Sequence, residues 1–536
     1  MAKIFYPDFF NDVFGPIMQP GSSSNFAGMS RIGRIARHTL RSEPVSVQFE
    51  FNKNSRLFTE LGNMMEDRGL LGGILDFAPD DARLFDAHEH AKKAEIAYSF
   101  IPRLADAKHE CSVTFKLTGK DGDSATLCAE SIGGGMVMTY EILGFPINWQ
   151  SDTFAVLAFG IDSKMDSSLK ERAASLFGST LLQVKEVCRS DGFKAWFFEL
   201  EENPYVQSVK KIFKDVEFRI LPALLPVVTR RSKKPQLFKT VEEWRNVAKE
   251  KDISFAEAAI LYEQSSSGWS RNQIWEYFED IASILYHQVH SLEELGYENV
   301  QDTPLLPIYG KLWNKYVETK KKISDSLTNH ILVHAFATNA KVPGVKIVPG
   351  PMGTGGGYLF SALDAVREER NISHERLVES LIVAAALGAL AFTHTNASGT
   401  IGCAGESGVC SAMASGAVTW LCGGDGMQVE NAASMALQAS IGIPCDPIPG
   451  GLEFPCLTRT VRAAVTAPLY ADMALAGINP LVPYHEVLLA MDAHYKNSAP
   501  GLLNGPLCGV NCTPTAGKCR MFLQELMASK LQNQGK

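Results

Sequence analysis

The sequence predicts an α+β multidomain protein, with an N-terminal α/β domain, a small α/β module and a C-terminal all-helical domain. Three observations predict this order. In the first 147 residues, apolar and polar side chains alternate with the period of two that is typical of strands. A second alternation of strand-like and helix-like segments follows over residues 148–229. From residue 238 to residue 536 the pattern becomes helical.

The N-terminal domain is predicted from two strand patterns and two helix patterns. Val45, Val47, Phe49 and Phe51 alternate with polar neighbours, and a similar alternation covers residues 113–117. Two helices are predicted between or beside these strands. They are Gly28–Leu40 and Asp86–Ser99.

The module at residues 148–229 has the size of a regulatory domain. Its predicted strands are Phe154–Ile161, Ala195–Leu200 and Val216–Ile220, and its predicted helices are Ser167–Cys188 and Tyr205–Lys214. Residues 230–237 follow, with the basic run Arg230-Arg231-Ser232-Lys233-Lys234-Pro235. A short basic run that ends in proline favours a solvated linker over a nucleic-acid patch.

The C-terminal domain begins with three capping boxes. Thr240 with Glu243, Ser254 with Glu257, and Ser270 with Gln273 each place a hydroxyl residue three positions before a Glu or Gln. Alanine-rich segments at 383–392, 411–420 and 432–440 have small side chains that permit close helix packing. We therefore expect a helical domain with a few long Gly/Pro loops.

Composition excludes several function classes. The 536 residues are 46% hydrophobic and 21% charged, with a net charge of −8, which argues against a nucleic-acid partner. The longest apolar run, Leu381 to Phe392, is too short to span a bilayer and predicts a buried helix. The start of the chain lacks a signal-peptide pattern. We expect a cytoplasmic, homodimeric protein whose eleven cysteines are thiols or metal ligands rather than disulfides.

Three cysteines carry the strongest functional signal. Cys403 lies between glycines, Cys445 precedes Asp-Pro, and Cys456 follows proline, so turns rather than helix interiors present all three. Three thiolates can hold three irons of a four-iron cluster and leave the fourth iron open to a substrate. Three buried thiols are the alternative. Structural zinc is disfavoured, because such sites usually take four ligands with at least one close pair.

The segments around these cysteines resemble a known family. Ile401–Met413 resembles the Gly-Cys-Gln-x-Glu-x-Gly signature of the iron–sulfur-dependent L-serine dehydratases, and Cys445 to Cys456 resembles their Cys-Asp-Pro…Gly-Gly…Pro-Cys signature. The resemblance implies a [4Fe–4S] cluster bound by Cys403, Cys445 and Cys456. Further resemblance covers most of the helical domain, the family's catalytic α domain. It includes Thr240–Leu295, Pro349–Val366 and Gln428–Ala433.

The N-terminal region resembles the β domain of the same family. Pro20-Gly21-Ser22-Ser23-Ser24 matches its serine-rich loop, and Ser131-Ile132-Gly133-Gly134-Gly135 matches its Ser-Ile-Gly-Gly-Gly turn. The resemblance implies that Ser22, Ser23, Ser24, Ser131, Gly133 and Gly134 bind or act on an amino-acid substrate. The module at 148–229 resembles ACT-type regulatory domains in its size and its strand–helix alternation.

One position departs from the family. After the serines the family has a histidine that is thought to serve at the active site, and this chain has Asn25. An amide is not a general base near neutral pH, although it still hydrogen-bonds a substrate. His109 and His394 are the candidate replacements, and each has an alternative role as a structural histidine. Cys508, Cys512 or Cys519 is a candidate to cap the open iron, with extra free thiols as the alternative.

A second glycine-rich loop, Gly350–Tyr358, opens a predicted helix that runs toward Arg370. It is not a phosphate-binding Walker loop, because no Lys-Ser/Thr follows it. Amide donors at a helix start suit a carboxylate as well as a phosphate. Thr354 and Gly355 are therefore candidates to bind the substrate carboxylate, and a purely structural turn is the alternative.

The resemblance implies an enzyme that eliminates water from L-serine, or from a close hydroxy amino acid, and releases pyruvate and ammonia without pyridoxal phosphate. Asn25 keeps two alternatives open. One is an iron–sulfur lyase for a different hydroxy acid or for cysteine. The other is a non-catalytic iron–sulfur protein.

Overall fold

The structure, a computed structural model, describes residues 6–52, 55–59, 61–62, 64–103, 112–161, 167–228, 235–303, 305–448, 454–504 and 508–534. By their contacts the residues divide into two units. One unit is Ser22–Thr229, and the other combines Met1–Gly21 with Arg230–Lys536. The first contains sheets and helices and the second is helical, which confirms the predicted α+β class.

The first part of the Ser22–Thr229 unit is a sheet with helices. Its elements are α1 (Gly28–Thr39), β1 (Pro44–Asn52), α2 (Arg56–Thr59), α3 (Glu66–Ile74), α4 (Ala87–Lys93), β2 (Ala97–Arg103), β3 (Ser112–Gly119), β4 (Ser124–Gly133), β5 (Met136–Ile142) and β6 (Phe145–Trp149). In the described residues the strand order is β2-β1-β3-β4-β5-β6. β1 and β2 are parallel, and the other neighbours are antiparallel.

The predicted helix Asp86–Ser99 is wrong in its second half. α4 ends at Lys93, and Glu95 has a φ of 55°, a left-handed conformation that a helix cannot continue. The chain then enters β2, where Phe100 lies opposite Phe49 of β1. Pairing with a distant strand overrides the local helical pattern here.

A second sheet follows in the same unit. Its elements are β7 (Phe154–Ile161), α5 (Ser167–Phe177), β8 (Leu181–Cys188), β9 (Phe193–Leu200), α6 (Val206–Ile212) and β10 (Glu217–Leu221), with the strand order β10-β7-β9-β8. This βαββαβ sequence is the ferredoxin-like arrangement. The predicted helix Ser167–Cys188 is therefore wrong beyond Phe177, because Gly178 turns the chain with a φ of 52° and β8 pairs with β9.

The two sheets share one apolar cluster. Phe49 and Phe115 of the first sheet and Leu157 and Phe197 of the second all belong to it. The predicted border at residue 147 lies inside β6, the last strand of the first sheet, and the two sheets on either side of it bury side chains in a common core. The four-part domain division and the ACT-like assignment stay predictions.

The second unit contains twelve helices in the part of the chain that the structure describes. They are α7 (Val241–Lys251), α8 (Phe255–Ser267), α9 (Arg271–Leu295), α10 (Tyr309–Thr319), α11 (Ser326–Ala340), α12 (Gly355–Arg370), α13 (His374–His394), α14 (Ser407–Leu421), α15 (Gly426–Gln438), α16 (Cys456–Leu475), α17 (Tyr484–Asn497) and α18 (Pro514–Gln534). Thr240, Ser254 and Ser270 cap α7, α8 and α9, since each hydroxyl accepts a hydrogen bond from the amide three residues on. The reciprocal bond of a capping box is made at α9 by Gln273, whereas at α7 the Glu243 carboxylate accepts from the amide of Lys239 instead.

Helix α13 is the buried centre of this unit. Its residues from Leu381 to Ala391 are buried, and α8, α9, α14 and α17 pack against it. Among the described residues it is the one helix long and apolar enough to cross a membrane, and 78% of its apolar window is buried inside the protein. Gly416 of α14 lets that helix approach closely, since a Cβ there would lie 2.4 Å from Leu387.

The N-terminal segment packs on the helices. The ring of Phe9 stacks on Tyr262 with 5.5 Å between centroids, and Phe10 stacks on Trp269 at 5.1 Å. The amide of Phe9 donates to the Glu263 carboxylate at 2.8 Å. The residues up to Gly21 thus group with the helical unit, whereas the sequence analysis placed them with the N-terminal sheet.

Candidate functional site

Cys403 begins a short helical turn, Cys403–Gly405, directly before α14. The preceding Gly402 has a φ of 96°, and a Cβ there would lie 2.6 Å from the carbonyl oxygen of Ile443. Only glycine fits this position, as the sequence pattern suggested. The side chain of Cys403 is 1% exposed, and its sulfur lies 3.1 Å from the Ser407 hydroxyl.

Cys456 follows Pro455 and is the first residue of α16, so it lies at a helix start, whereas the sequence context predicted a turn outside helix interiors. Its thiol hydrogen-bonds the Cys403 sulfur. Amide groups at a helix start point toward such a side chain and suit a negatively charged ligand set. Two of the three predicted ligands are thereby in direct contact.

Arg459, one turn into α16, also bonds the Cys403 sulfur. The pKa of Cys403 falls to about 6. The hydrogen bond from Cys456 is the largest cause, and Ser407 and the Arg459 charge add to it, while burial opposes them. Cys403 is therefore a thiolate near neutral pH, which is the form that binds metal.

Cys445 is held by the chain on both sides. Its amide donates to the Leu503 carbonyl at 2.7 Å, and the Cys508 thiol donates to its carbonyl oxygen at 3.1 Å. Its sulfur and the carboxylate of Glu406 both face Gly399. A Cβ at Gly399 would lie 3.0 Å from that sulfur and 3.3 Å from the carboxylate oxygens. The bare glycine thus leaves room between these groups.

Asp446 ties this region together. Its side chain is fully buried, and it bonds Arg459 of α16 and the amide of Val510, the latter at 2.7 Å. Arg459 in turn donates to the Pro444 carbonyl at 2.7 Å. The loop of Cys445, the helix of Cys456 and the segment after Cys508 are joined through one carboxylate.

The donor set fits an iron–sulfur cluster in chemical type. Cys403, Cys445 and Cys456 are thiols held by turns and one helix start, and an arginine lies beside them to offset negative charge. Each thiolate of such a cluster binds a different iron, so the three sulfurs do not need to converge on one point. Nearby Cys410 differs, because burial raises its pKa to about 12 and it donates to the Gly355 carbonyl.

In the sheet unit, the predicted serine segment forms a short helical turn. We call Ser22–Asn25 the serine loop. The Ser22 hydroxyl accepts from the Asn25 amide at 3.1 Å, while Ser23 is buried and Ser24 is half-buried. The Asn25 side chain donates to the Met64 sulfur at 3.0 Å. Asn25 is therefore anchored through its side-chain amide.

The Ser131 turn adjoins the serine loop. A Cβ at Gly28 would lie 2.5 Å from the Ser131 hydroxyl and 3.5 Å from the Ser23 carbonyl. Gly133 and Gly134 have φ values of 105° and 60°, and a Cβ at Gly134 would meet nothing within 4 Å. Among the described residues, the buried Ser131 hydroxyl has no hydrogen-bond partner. An unused buried hydroxyl at this junction is suited to a polar ligand.

Two amides of the Gly350–Tyr358 loop donate hydrogen bonds to nearby carbonyl groups of the main chain. The Gly355 amide donates to the Met352 carbonyl at 2.8 Å, and the Gly356 amide donates to the Val348 carbonyl at 3.1 Å. Thr354 precedes α12 and is 3% exposed, with no capping hydrogen bond from its side chain. Donors that we expected for a substrate carboxylate are thus used within the loop, which favours the structural alternative.

Of the two candidate histidines, the structure describes His394. His394 ends α13, and its Nε2 lies 2.6 Å from the carbonyl oxygen of Lys239, to which it donates. Burial lowers the pKa of His394 below its ordinary value. The contact favours a structural role at the helix end. His109 lies outside the described residues.

A family model described as "Serine dehydratase alpha chain" matches residues 242–505. The "Probable L-serine dehydratase, alpha chain" of Latilactobacillus sakei is 32% identical over 201 residues, which are 37% of this chain and 96% of that one. The chain belongs to the serine dehydratase family. It is therefore an enzyme of the lyase class.

Two further members of the serine dehydratase family are similar to longer or shorter stretches of this chain. The probable L-serine dehydratase alpha chain of Bacillus subtilis is 29% identical over 282 residues, covering 52% of this chain and 93% of that one. The L-serine dehydratase beta chain of Peptoniphilus asaccharolyticus is 33% identical over 148 residues, covering 27% and 65% respectively. This chain is thus similar to both an alpha and a beta chain of the family.

The sequence analysis assigned no role to two charged residues near these cysteines, although one of them, Glu406, is the glutamate of the resembled signature. Glu406 lies three positions after Cys403, and Arg459 lies three positions after Cys456 on α16. The signal was the spacing, since residues three apart on a helix are neighbours. Of the three candidate capping cysteines, Cys508 contacts Cys445, whereas the Cys512 thiol donates to its own turn at Gly509.

Glu66, near the serine loop, gives a testable pH dependence. Its carboxylate is 1% exposed and accepts from the amides of Gly62 and Met64, but burial dominates and raises its pKa to about 8. The unfolded chain loses this proton near its ordinary value of 4.5. Between these values the folded state binds more protons, so the free energy of unfolding falls as pH rises, by about 1.4 kcal/mol per unit.

We expect Glu66→Gln to remove this fall, because the amide oxygen can accept the same bonds without charge. The measurement is the urea concentration at the unfolding midpoint, at about pH 5 and at about pH 8. The variant should unfold at a higher urea concentration than the unchanged protein only at the higher pH. Glu89→Gln, at an exposed position on α4, is the control and should leave the pH slope unchanged. An equal slope in Glu66→Gln and the unchanged protein would contradict the assignment.

Proposed function

We propose that this enzyme is a [4Fe–4S]-dependent L-serine dehydratase that releases pyruvate and ammonia. The observation that carries the proposal is the Cys403 thiolate, held by Cys456 and Arg459 at the start of α16. It occurs in a chain of the serine dehydratase family. Cys403, Cys445 and Cys456 would hold the cluster.

Such a cluster supplies a Lewis-acidic iron that weakens the bond between the β-carbon and its hydroxyl group. Residues around the cysteines provide charge compensation and space for this group. Arg459 offsets its negative charge and is itself fixed by Asp446. Gly399 leaves space between the Cys445 sulfur and the Glu406 carboxylate. The buried thiol of Cys508, beside the Cys445 carbonyl, is our candidate for the resting-state cap.

We propose Glu406 as the base that removes the α-proton. A carboxylate beside a predicted ligand can do what the amide of Asn25 cannot, because it accepts a proton. Loss of the α-proton and of the β-hydroxyl, with its electron pair, leaves an enamine and water. The enamine tautomerises to an imine, and water hydrolyses the imine to pyruvate and ammonia.

In the sheet unit we propose that the serine loop and Ser131 bind the carboxylate and ammonium groups of an amino acid. The support is the unused hydroxyl of Ser131, which lies next to the serine loop at Gly28. A buried hydroxyl without a partner is costly unless a ligand completes its hydrogen bonds. A cytoplasmic location and a homodimer remain expectations, and sedimentation checks the latter.

The test is anaerobic purification, with iron and sulfide analysis, followed by an ammonia assay on L-serine, L-threonine and L-cysteine. We expect four irons and four sulfides per chain, with pyruvate and ammonia formed in equal amounts from L-serine. Activity on L-threonine or L-cysteine alone would replace the substrate that we propose, which is the outcome that Asn25 favours. A loaded cluster without turnover would reject the enzymatic proposal, and a metal-free protein would reject the cluster.

A further inference from the structure

Three helices of the helical unit bring two imidazoles and a carboxylate together, outside the cysteine region. His290 is on α9, His334 is on α11 and Asp364 is on α12, and these three helices pack against one another. One ligand atom from each residue lies within 4.8 Å of the others. His334 is 1% exposed and Asp364 is fully buried.

The distances suit one small cation. His290 Nε2 lies 3.1 Å from Asp364 Oδ2. Zinc bonds to histidine and carboxylate are about 2.0–2.1 Å long, so two ligands of a tetrahedral zinc ion are about 3.3 Å apart. The pair can therefore accommodate an ion after small side-chain movements.

Each of the three side chains has an outer partner of the kind that metal ligands have. His290 Nδ1 faces Glu293 at 3.6 Å, which leaves Nε2 for a metal. Asp364 Oδ1 accepts from Arg367 at 3.0 Å, which leaves Oδ2. The main chain of Ser361 lies within hydrogen-bonding reach of the His334 ring. Such outer partners orient metal ligands and fix the ring nitrogen that binds.

An ion pair between His290 and Asp364 does not account for His334. Among the described residues, its buried Nδ1 has no hydrogen-bond partner. The ring centroids of His290 and His334 are 4.5 Å apart. A buried imidazole nitrogen without a hydrogen-bond partner costs free energy unless a ligand binds it. Two imidazoles and one carboxylate are a common ligand set for zinc and related divalent metals.

Solvent can supply the remaining ligand. The side chain of His290 is 13% exposed, and its ring lies 4.2 Å from that of Tyr286, which is 40% exposed. The sequence also carries a signal that was overlooked. His330 and His334 are four residues apart on α11, and the spacing places two histidines on one helix face. His330 itself faces Glu368 at 3.3 Å.

We propose that His290, His334 and Asp364 bind one divalent transition-metal ion, Zn²⁺ or a close relative, that joins α9, α11 and α12. Binding at this point stabilises the folded protein by mass action. The proposal is independent of the reaction catalysed.

The test uses the full chain, purified without oxygen and loaded with its cluster, and dialysed against ZnCl₂. We expect one zinc per chain by elemental analysis and a rise in melting temperature on adding zinc. His290→Gln and Asp364→Asn should each weaken zinc binding more than tenfold and abolish the rise. His287→Gln is the matched control, since His287 lies one turn away on α9 and is exposed.

X-ray absorption at the zinc edge separates this site from zinc bound by cysteines. Nitrogen and oxygen ligands at about 2.0–2.1 Å support the proposal, whereas sulfur at about 2.3 Å overturns it. Undiminished zinc binding by His290→Gln also overturns it, as does the absence of zinc from the unchanged protein. His290 is partly exposed, so His290→Gln remains informative if Asp364→Asn does not fold.

Discussion

Replacing Cys403 by serine is expected to abolish cluster loading and to lower the rate of serine turnover at least a thousandfold, about 4 kcal/mol in barrier height. Cys456, Ser407 and Arg459 all interact with the Cys403 thiol, and together they lower its pKa to about 6. A serine hydroxyl stays protonated at that pH, so it presents no anion to iron. The measurement is iron and sulfide per chain, together with ammonia release from L-serine.

Cys410→Ser is the matched control for this change. Cys410 lies in the first turn of α14, just after the Cys403 turn, and its thiol is neutral and hydrogen-bonded to the Gly355 carbonyl. A serine hydroxyl can make the same bond, so this variant should keep its iron and its activity. Wild-type iron content in Cys403→Ser would reject Cys403 as a ligand. Circular dichroism of both variants excludes a general loss of fold.

The sequence predicted those elements whose signals are local. The hydroxyl residues at 240, 254 and 270 cap α7, α8 and α9, because a cap depends on three or four consecutive residues. The apolar run at 381–392 is a buried helix because no face of it has to meet water. Glycine before Cys403 was recognisable for the same local reason.

The errors of prediction have a common physical cause. Residues 97–99 and 181–188 looked helical from their own pattern, but both lie in strands. The first belong to β2, which pairs with the distant β1, and the second form β8, which pairs with β9, the next strand along the chain. Sequence periodicity carries no information on such partners. For the Gly350–Tyr358 loop the local pattern left two roles open, and it does not reveal that the amides of Gly355 and Gly356 bond Met352 and Val348.

The candidate site was recognised only in part. The three cysteines stood out by their turns and by family resemblance, whereas Glu406, Asp446 and Arg459 did not. Their importance arises from contacts between segments, such as the bond from Asp446 to Val510, 64 residues later. A charged residue beside a motif is visible in the sequence, but its partner is not.

Asp446→Ala is expected to destabilise the folded protein by about 3–5 kcal/mol and to reduce iron loading. The carboxylate is fully buried, and its removal leaves Arg459, itself only 18% exposed, without its ion-pair partner. It also leaves the Val510 amide without its acceptor. The guanidinium keeps the Cys403 sulfur and the Pro444 carbonyl as partners, but breaking an ion pair whose carboxylate is fully buried costs more than breaking an exposed pair.

Lys496→Met provides the comparison, because Lys496 is 69% exposed in its pair with Asp492. Exposed pairs contribute about 0–1 kcal/mol, so its unfolding midpoint in urea should barely move. Asp446→Asn keeps an acceptor for the Val510 amide but loses the charge. Its unfolding midpoint in urea should therefore lie between those of Asp446→Ala and Lys496→Met. The same order is expected for iron content, since Asp446 orients the Arg459 side chain that contacts Cys403. If Asp446→Ala unfolds at the same urea concentration as Lys496→Met, Asp446 does not join the three segments that present Cys445, Cys456 and Cys508.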